Sequence, residues 1–138
     1  MRYCCPSLLA SLVALGLAAL AAGCMGRGTG GGGKAGPTQL EISISLGGRE
    51  SPTRLWTLQC PAGGTLPDPA RACRRLEALD DPFARIPKNA ACTAIYGGPQ
   101  LAEVRGTFRG RTINARFARG NGCEIARWNR LRFLFPSG

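Results

Sequence analysis

The chain contains no histidine. Its absence removes the base from Ser-His-Asp and Cys-His nucleophile chemistry and the imidazole ligands from most catalytic metal sites. The side chains left to do covalent chemistry are seven cysteines, at positions 4, 5, 24, 60, 73, 92 and 123. No two of them stand in the CxxC spacing of a zinc ligand pair, so no metal or other cofactor is expected, and no enzyme. One stretch stands apart from the rest. In Ala91-Cys92-Thr93-Ala94-Ile95-Tyr96-Gly97-Gly98-Pro99 a cysteine precedes a short apolar run that ends in two glycines and a proline. The chemistry open to such a segment is passive: it can present its backbone and side chains to something else.

The cysteines sort by position. Residues 1–23 read as a signal peptide, because Arg2 precedes an apolar run, LLASLVALGLAALAAG, that is too short and too rich in small residues for a membrane span. Ala21-Ala22-Gly23-Cys24 resembles the bacterial lipobox, in which the signal is cut before a cysteine that carries a diacylglycerol thioether, with Ala21 at the position usually held by Leu. Residues 24–37 are a glycine-rich tether. Its stretch GRGTGGGGKAG buries no apolar surface and spans about 20 Å as a random coil. The N-terminal region therefore predicts a secreted protein, lipidated at Cys24 and held at the outer face of the cell membrane by that anchor. Four cysteines, Cys60, Cys73, Cys92 and Cys123, remain in a 38–138 domain of about a hundred residues. An even number in a small exported domain predicts two disulfides, in one of three pairings. Pairing Cys60 with Cys73 and Cys92 with Cys123 closes two successive loops of 13 and 31 residues' separation. In the chain-entropy view these loops contribute about 3 and about 3.7 kcal/mol, a large share of what so small a core supplies.

The formal charge is +10, and eight arginines lie between Arg105 and Arg132. Such a balance invites an anionic partner. The arginines carry no interleaved aromatic motif and no helix-turn-helix pattern, so they read as a solvated strand face, and nucleic acid is not an expected partner.

Around the 91–99 segment the chain supplies a frame. Leu40, Ile42, Ile44 and Leu46 alternate with Glu41, Ser43 and Ser45, the period of a half-buried strand. A second strand over 54–60 puts Trp56 and Leu58 on one face, with Gly47-Gly48 and Pro52 in the connection. Asp68-Pro69 supplies an N-cap and a first-turn proline, and Leu76 and Leu79 share a helical face. The prediction is a helix over 69–79, ended by Pro82. Residues 101–108 and 112–117 form a hairpin around Arg109-Gly110-Arg111, with Ile113, Ala115 and Phe117 pointing inward. Leu131, Phe133 and Phe135 alternate as a last strand. The sum is an α+β domain, an antiparallel β-sheet with one or two short helices.

Taken in order, Cys60-Pro61, Gly64-Thr65, Pro67-Asp68-Pro69, Ala72-Cys73, Cys92-Thr93-Ala94-Ile95-Tyr96, Gly106-Thr107-Phe108-Arg109-Gly110, Asn121-Gly122-Cys123 and Phe133-Leu134-Phe135 resemble the subtilisin inhibitor-like proteins of actinobacteria. The resemblance runs from Thr38 to Phe135. It implies the Cys60–Cys73 and Cys92–Cys123 pairing, and a reactive site two residues after the third cysteine of the domain, which places the reactive bond between Ala94 and Ile95. It further implies that Cys92, Thr93 and Tyr96 contact the protease beside that bond and that the Asn121 side chain supports the loop. The function implied is an exported inhibitor of a serine endopeptidase, subtilisin-like or elastase-like, acting by substrate-like insertion of a disulfide-anchored loop, with a homodimer formed through one sheet face. The competing reading is a noncatalytic cell-envelope binding module on the same scaffold. The chain departs from the family pattern in three places. Gly97-Gly98-Pro99 replaces its usual Asp-Pro, an exchange expected to soften the loop, while Leu66 stands for a common His and Phe108 for a common Trp.

Overall fold

The computed structural model describes residues 36–137. The signal peptide, Cys24 and nearly all of the tether lie outside the described residues. Five strands form one antiparallel sheet: β1 (Gln39–Ser45), β2 (Thr53–Gln59), β3 (Gly63–Gly64), β4 (Leu101–Phe108) and β5 (Arg111–Phe117), in the spatial order β3-β2-β1-β4-β5. The alternation read in β1 places Leu40, Ile42 and Ile44 in the core. Register then follows from matching apolar rows: Ile42 stands opposite Trp56 on one side and Val104 on the other, and Val104 opposite Ala115.

Helix α1 (Pro69–Glu77) packs Ala72, Cys73 and Leu76 into the core. Asp68 caps it, its carboxylate accepting the Arg71 amide at 3.0 Å, and Pro69 takes the first helical position, where the missing N–H costs nothing. At the other end Arg109 donates from its guanidinium to the carbonyls of Glu77, Leu79 and Asp80, and stacks 4.4 Å from the centre of the Phe108 ring. The last carbonyls of a helix lack intrahelical partners, and here one side chain gathers Glu77 and the two residues just past its cap. Arg109 and Gly110 form the two-residue β4–β5 turn with φ of 50° and 77°. Left-handed dihedrals at both positions match the twist of a tight hairpin.

The last expected strand, Leu131 to Phe135, is a 3₁₀ turn instead. α2 (Gly122–Arg130) is followed by a 3₁₀ turn, Arg132–Leu134. Trp128, Leu131, Leu134 and Phe135 are buried while Phe133 is half-buried, so the apolar spacing that counts is three and four residues, not two. Trp128 and Phe117 both pack on Phe135, with ring centroids 4.6 and 5.2 Å away. Leu66 and Phe108, the two departures from the family pattern in the core, are 4% and 1% exposed and serve as packing residues.

Both disulfides join an irregular segment or strand end to a helix. Cys60 at the end of β2 reaches Cys73 of α1 across 5.6 Å between Cα atoms, and Cys92 reaches Cys123 of α2 across 5.3 Å. Gly36 and Pro37 are already part of the domain: the Gly110 amide donates to Pro37 O at 3.1 Å, and Arg109 N donates to the Thr38 hydroxyl at 3.2 Å.

Candidate functional site

From the end of α1 to the start of β4, residues 78–100 contain no helix or strand. Irregular stretches of this length in a compact domain are uncommon and are often functional. The first half is held by Phe83, which is buried and meets Phe108 edge-on at 5.4 Å. The second half contains the 91–98 segment.

That segment touches the scaffold at its two ends. On one side Cys92 is bonded to Cys123, and the carbonyl of Thr93 accepts the Gly122 amide at 3.0 Å. On the other the Gly97 amide donates to Arg119 O at 2.8 Å. Between these points the chain stands clear. Thr93 and Ala94 are exposed, Ile95 is 54% exposed and Tyr96 72%. Two large side chains thus stand next to each other at the surface, beside exposed Thr93 and Ala94. One bond shapes the interior of the segment: Ile95 N donates to Thr93 O at 2.9 Å, closing a three-residue turn whose central residue is Ala94. The expected reactive bond therefore lies at the apex, flanked by no charged side chain from Ala91 to Gln100.

The anchors belong to one short piece of chain. β5 ends at Phe117, Arg119 follows, and α2 begins at Gly122. Asn121 is its N-cap, accepting the Glu124 amide at 3.0 Å, while the Glu124 carboxylate accepts the Gly120 amide at 2.9 Å. Asn121 thus spends its side-chain oxygen on the helix rather than on the loop. Asn121 is connected to the loop through α2: it caps the first turn, and that turn carries Gly122 and Cys123. Gly122 lies close under the segment: a Cβ there would displace the Thr93 hydroxyl. Cys60 and Cys73 lie elsewhere, stapling β2 to α1. Sequence reasoning missed Arg119, which acts through its carbonyl, and the Gly122 amide. Backbone groups leave no residue-type signal, although Asn121-Gly122-Cys123 marks where the helix starts.

The described residues thus form a small disulfide-braced α+β domain that displays an irregular apolar segment pinned at both ends. The subtilisin inhibitor-like family profile matches residues 36–121, and the chain belongs to that family. A Streptomyces avermitilis protein provisionally named a serine protease inhibitor is 36% identical over 89 residues, which cover 62% of this chain and 59% of that one. Subtilisin inhibitor-like protein 5 of Streptomyces fradiae is 30% identical over 96 residues, 64% of this chain and 89% of its own. Subtilisin inhibitor-like protein 1 of Streptomyces cacaoi is 33% identical over 108 residues, 72% and 96%. Among solved structures, sermetstatin of Streptomyces caespitosus in complex with Bacillus licheniformis subtilisin aligns with a TM-score of 0.48 at 24% identity, covering 75% of this chain and all of the other.

Proposed function

We propose that this protein inhibits a serine endopeptidase by lodging the 92–96 segment in the enzyme's cleft as a substrate would, with Ala94 in the primary pocket and Ile95 and Tyr96 beyond the bond. The observation that carries the reading is the pairing of exposure with anchorage. A segment already held in place loses little conformational freedom on binding, so less of the contact energy is cancelled. The same anchorage governs the fate of the cleaved bond. When the protease serine adds to the Ala94 carbonyl and the Ala94–Ile95 bond breaks, Ala94 passes to the enzyme as an ester and Ile95 takes the proton as a free amine. Cys92 and Thr93 hold one new end to α2, and Gly97 holds the other to Arg119. The amine stays beside the ester, and re-formation of the peptide bond competes with water.

Progress curves with subtilisin test the proposal. Tight, slowly reversible inhibition is expected. Clean digestion at Ala94–Ile95 with no inhibition would overturn it and return the reading to an envelope-binding module that uses the arginine-rich surface.

The setting belongs to the same proposal. Residues 1–23 direct export, and Cys24 carries a lipid that holds the protein at the outer face of the membrane. Two disulfides suit an oxidising compartment. Cys24→Ser should abolish lipid labelling and move the protein from the membrane fraction to the medium; unchanged fractionation would show that the anchor lies elsewhere.

A further inference from the structure

The two glycines after Tyr96 are glycines for different reasons. Gly98 has φ of +128°, a dihedral that side chains oppose. Gly97 is absent from the positive-φ residues, so its backbone would accept a side chain. Space forbids one. A Cβ on Gly97 would stand 2.8 Å from both Cδ1 and Cγ1 of Ile125 and 3.3 Å from Arg119 Cβ. Ile125 sits in the first turn of α2, its amide bonded to Asn121 O at 2.9 Å, so it belongs to the same turn that carries Gly122 and Cys123.

We propose that Ile125 is the positioning residue for the loop. Its side chain fills the notch left by Gly97 and keeps the Gly97 amide against Arg119 O, and so fixes the direction in which Ile95 and Tyr96 leave the scaffold. On this account the glycine does not soften the loop. It admits a knob from α2 that fixes the side of the loop beyond the bond, as the disulfide fixes the other. The proposal rests on the inhibitory reading and assigns that site a support which the Asp-Pro of the family pattern does not supply here.

Four proteins test it: wild type, Gly97→Ala, Ile125→Ala and the double variant. Gly97→Ala forces a methyl group into Ile125, Ile125→Ala empties the notch, and the double variant moves the methyl group across it. Inhibition constants for subtilisin and the hydrogen-exchange rate of the residue-97 amide are read for each. Each single change should weaken inhibition about tenfold and speed exchange by a similar factor, and the double variant should recover at least about threefold against the product of the singles. Exchange in β4 should stay as in wild type. Strict additivity in the double variant overturns the proposal, and so does acceleration shared equally by the β4 amides. Should wild type fail to inhibit, the inhibitory reading falls, while residue-97 exchange still decides whether Ile125 holds the loop.

Discussion

On the proposed reading, Ala94 would offer a protease pocket one methyl group. That suits a small elastase-like pocket or the roomy pocket of subtilisin, and gives trypsin no cation to pair. Each methylene added in an apolar pocket contributes about 0.8 kcal/mol before fit and desolvation reduce it. Ala94→Leu should therefore tighten subtilisin inhibition, and Ala94→Lys should create trypsin inhibition absent in wild type. Inhibition constants against both enzymes check this, with Ala62→Lys as an exposed control remote in sequence from the segment. If the Ala94 changes move neither constant beyond the control, Ala94 is not the specificity residue. Tyr96, at 72% exposure, should behave as a contact residue only: Tyr96→Ala is expected to weaken inhibition while leaving the melting temperature within about a degree or two.

α2 makes a residue outside the segment matter to it. Asn121→Ala removes an N-cap worth about 1 kcal/mol and should weaken inhibition as well, since Gly122 and Cys123 ride on the first turn. Asn121→Ser, which restores a capping oxygen, should recover both. Urea unfolding paired with inhibition assays separates this from a structural effect alone, which would move stability and leave the inhibition constant in place. The same helix shows where sequence reading ends. β1, β4, the Arg109-Gly110 turn and α1 are legible because period-two alternation, a cap with a following proline, and glycine in a turn are local signals. Residues 131–135 mislead because Leu131, Phe133 and Phe135 alternate by accident inside a pattern whose buried members are Trp128, Leu131, Leu134 and Phe135. Asn121 followed by Glu124 is the start signal that the alternation masks. At the candidate site, sequence shows which residues are apolar types beside a cysteine. The carbonyl of Arg119, the amide of Gly122 and the fit of Ile125 to Gly97 arise only once β5 and α2 bring the 119–125 stretch under the segment.

Across the molecule as a whole, the lack of histidine leaves no side chain with an ordinary pKa between about pH 5 and pH 8. Stability should be level over that range, and any pH dependence of inhibition there should be the protease's own. The acid side differs. Glu103, hydrogen-bonded by Arg105 at 2.9 Å and by Arg116 at 3.3 Å, is held below the usual carboxylate pKa, first by the Arg105 bond. A group lowered on folding adds stability above its unfolded pKa and loses it as pH falls through the folded value, so the loss should come below about pH 4. Arg105 is largely exposed, which keeps the effect small. Melting curves from pH 2 to 8 should show a shallower acid limb for Glu103→Gln. On the same outer sheet face Leu55 is 63% exposed in the row that holds Ser43, Glu103 and Arg116. If the homodimer suggested by the family resemblance forms there, Leu55→Glu should turn a dimer into a monomer in sedimentation. Strand direction gives the domain two unlike poles. β1 begins at Gln39, opposite Thr107, where Pro37 is tied to the Arg109-Gly110 turn, and runs to Ser45, opposite Leu101, on the side from which the 92–97 segment arrives. Seven residues of strand, about 20 Å, separate the poles. The chain enters the domain at one pole and displays the segment at the other, so N-terminal capture on a sensor chip should keep protease binding intact.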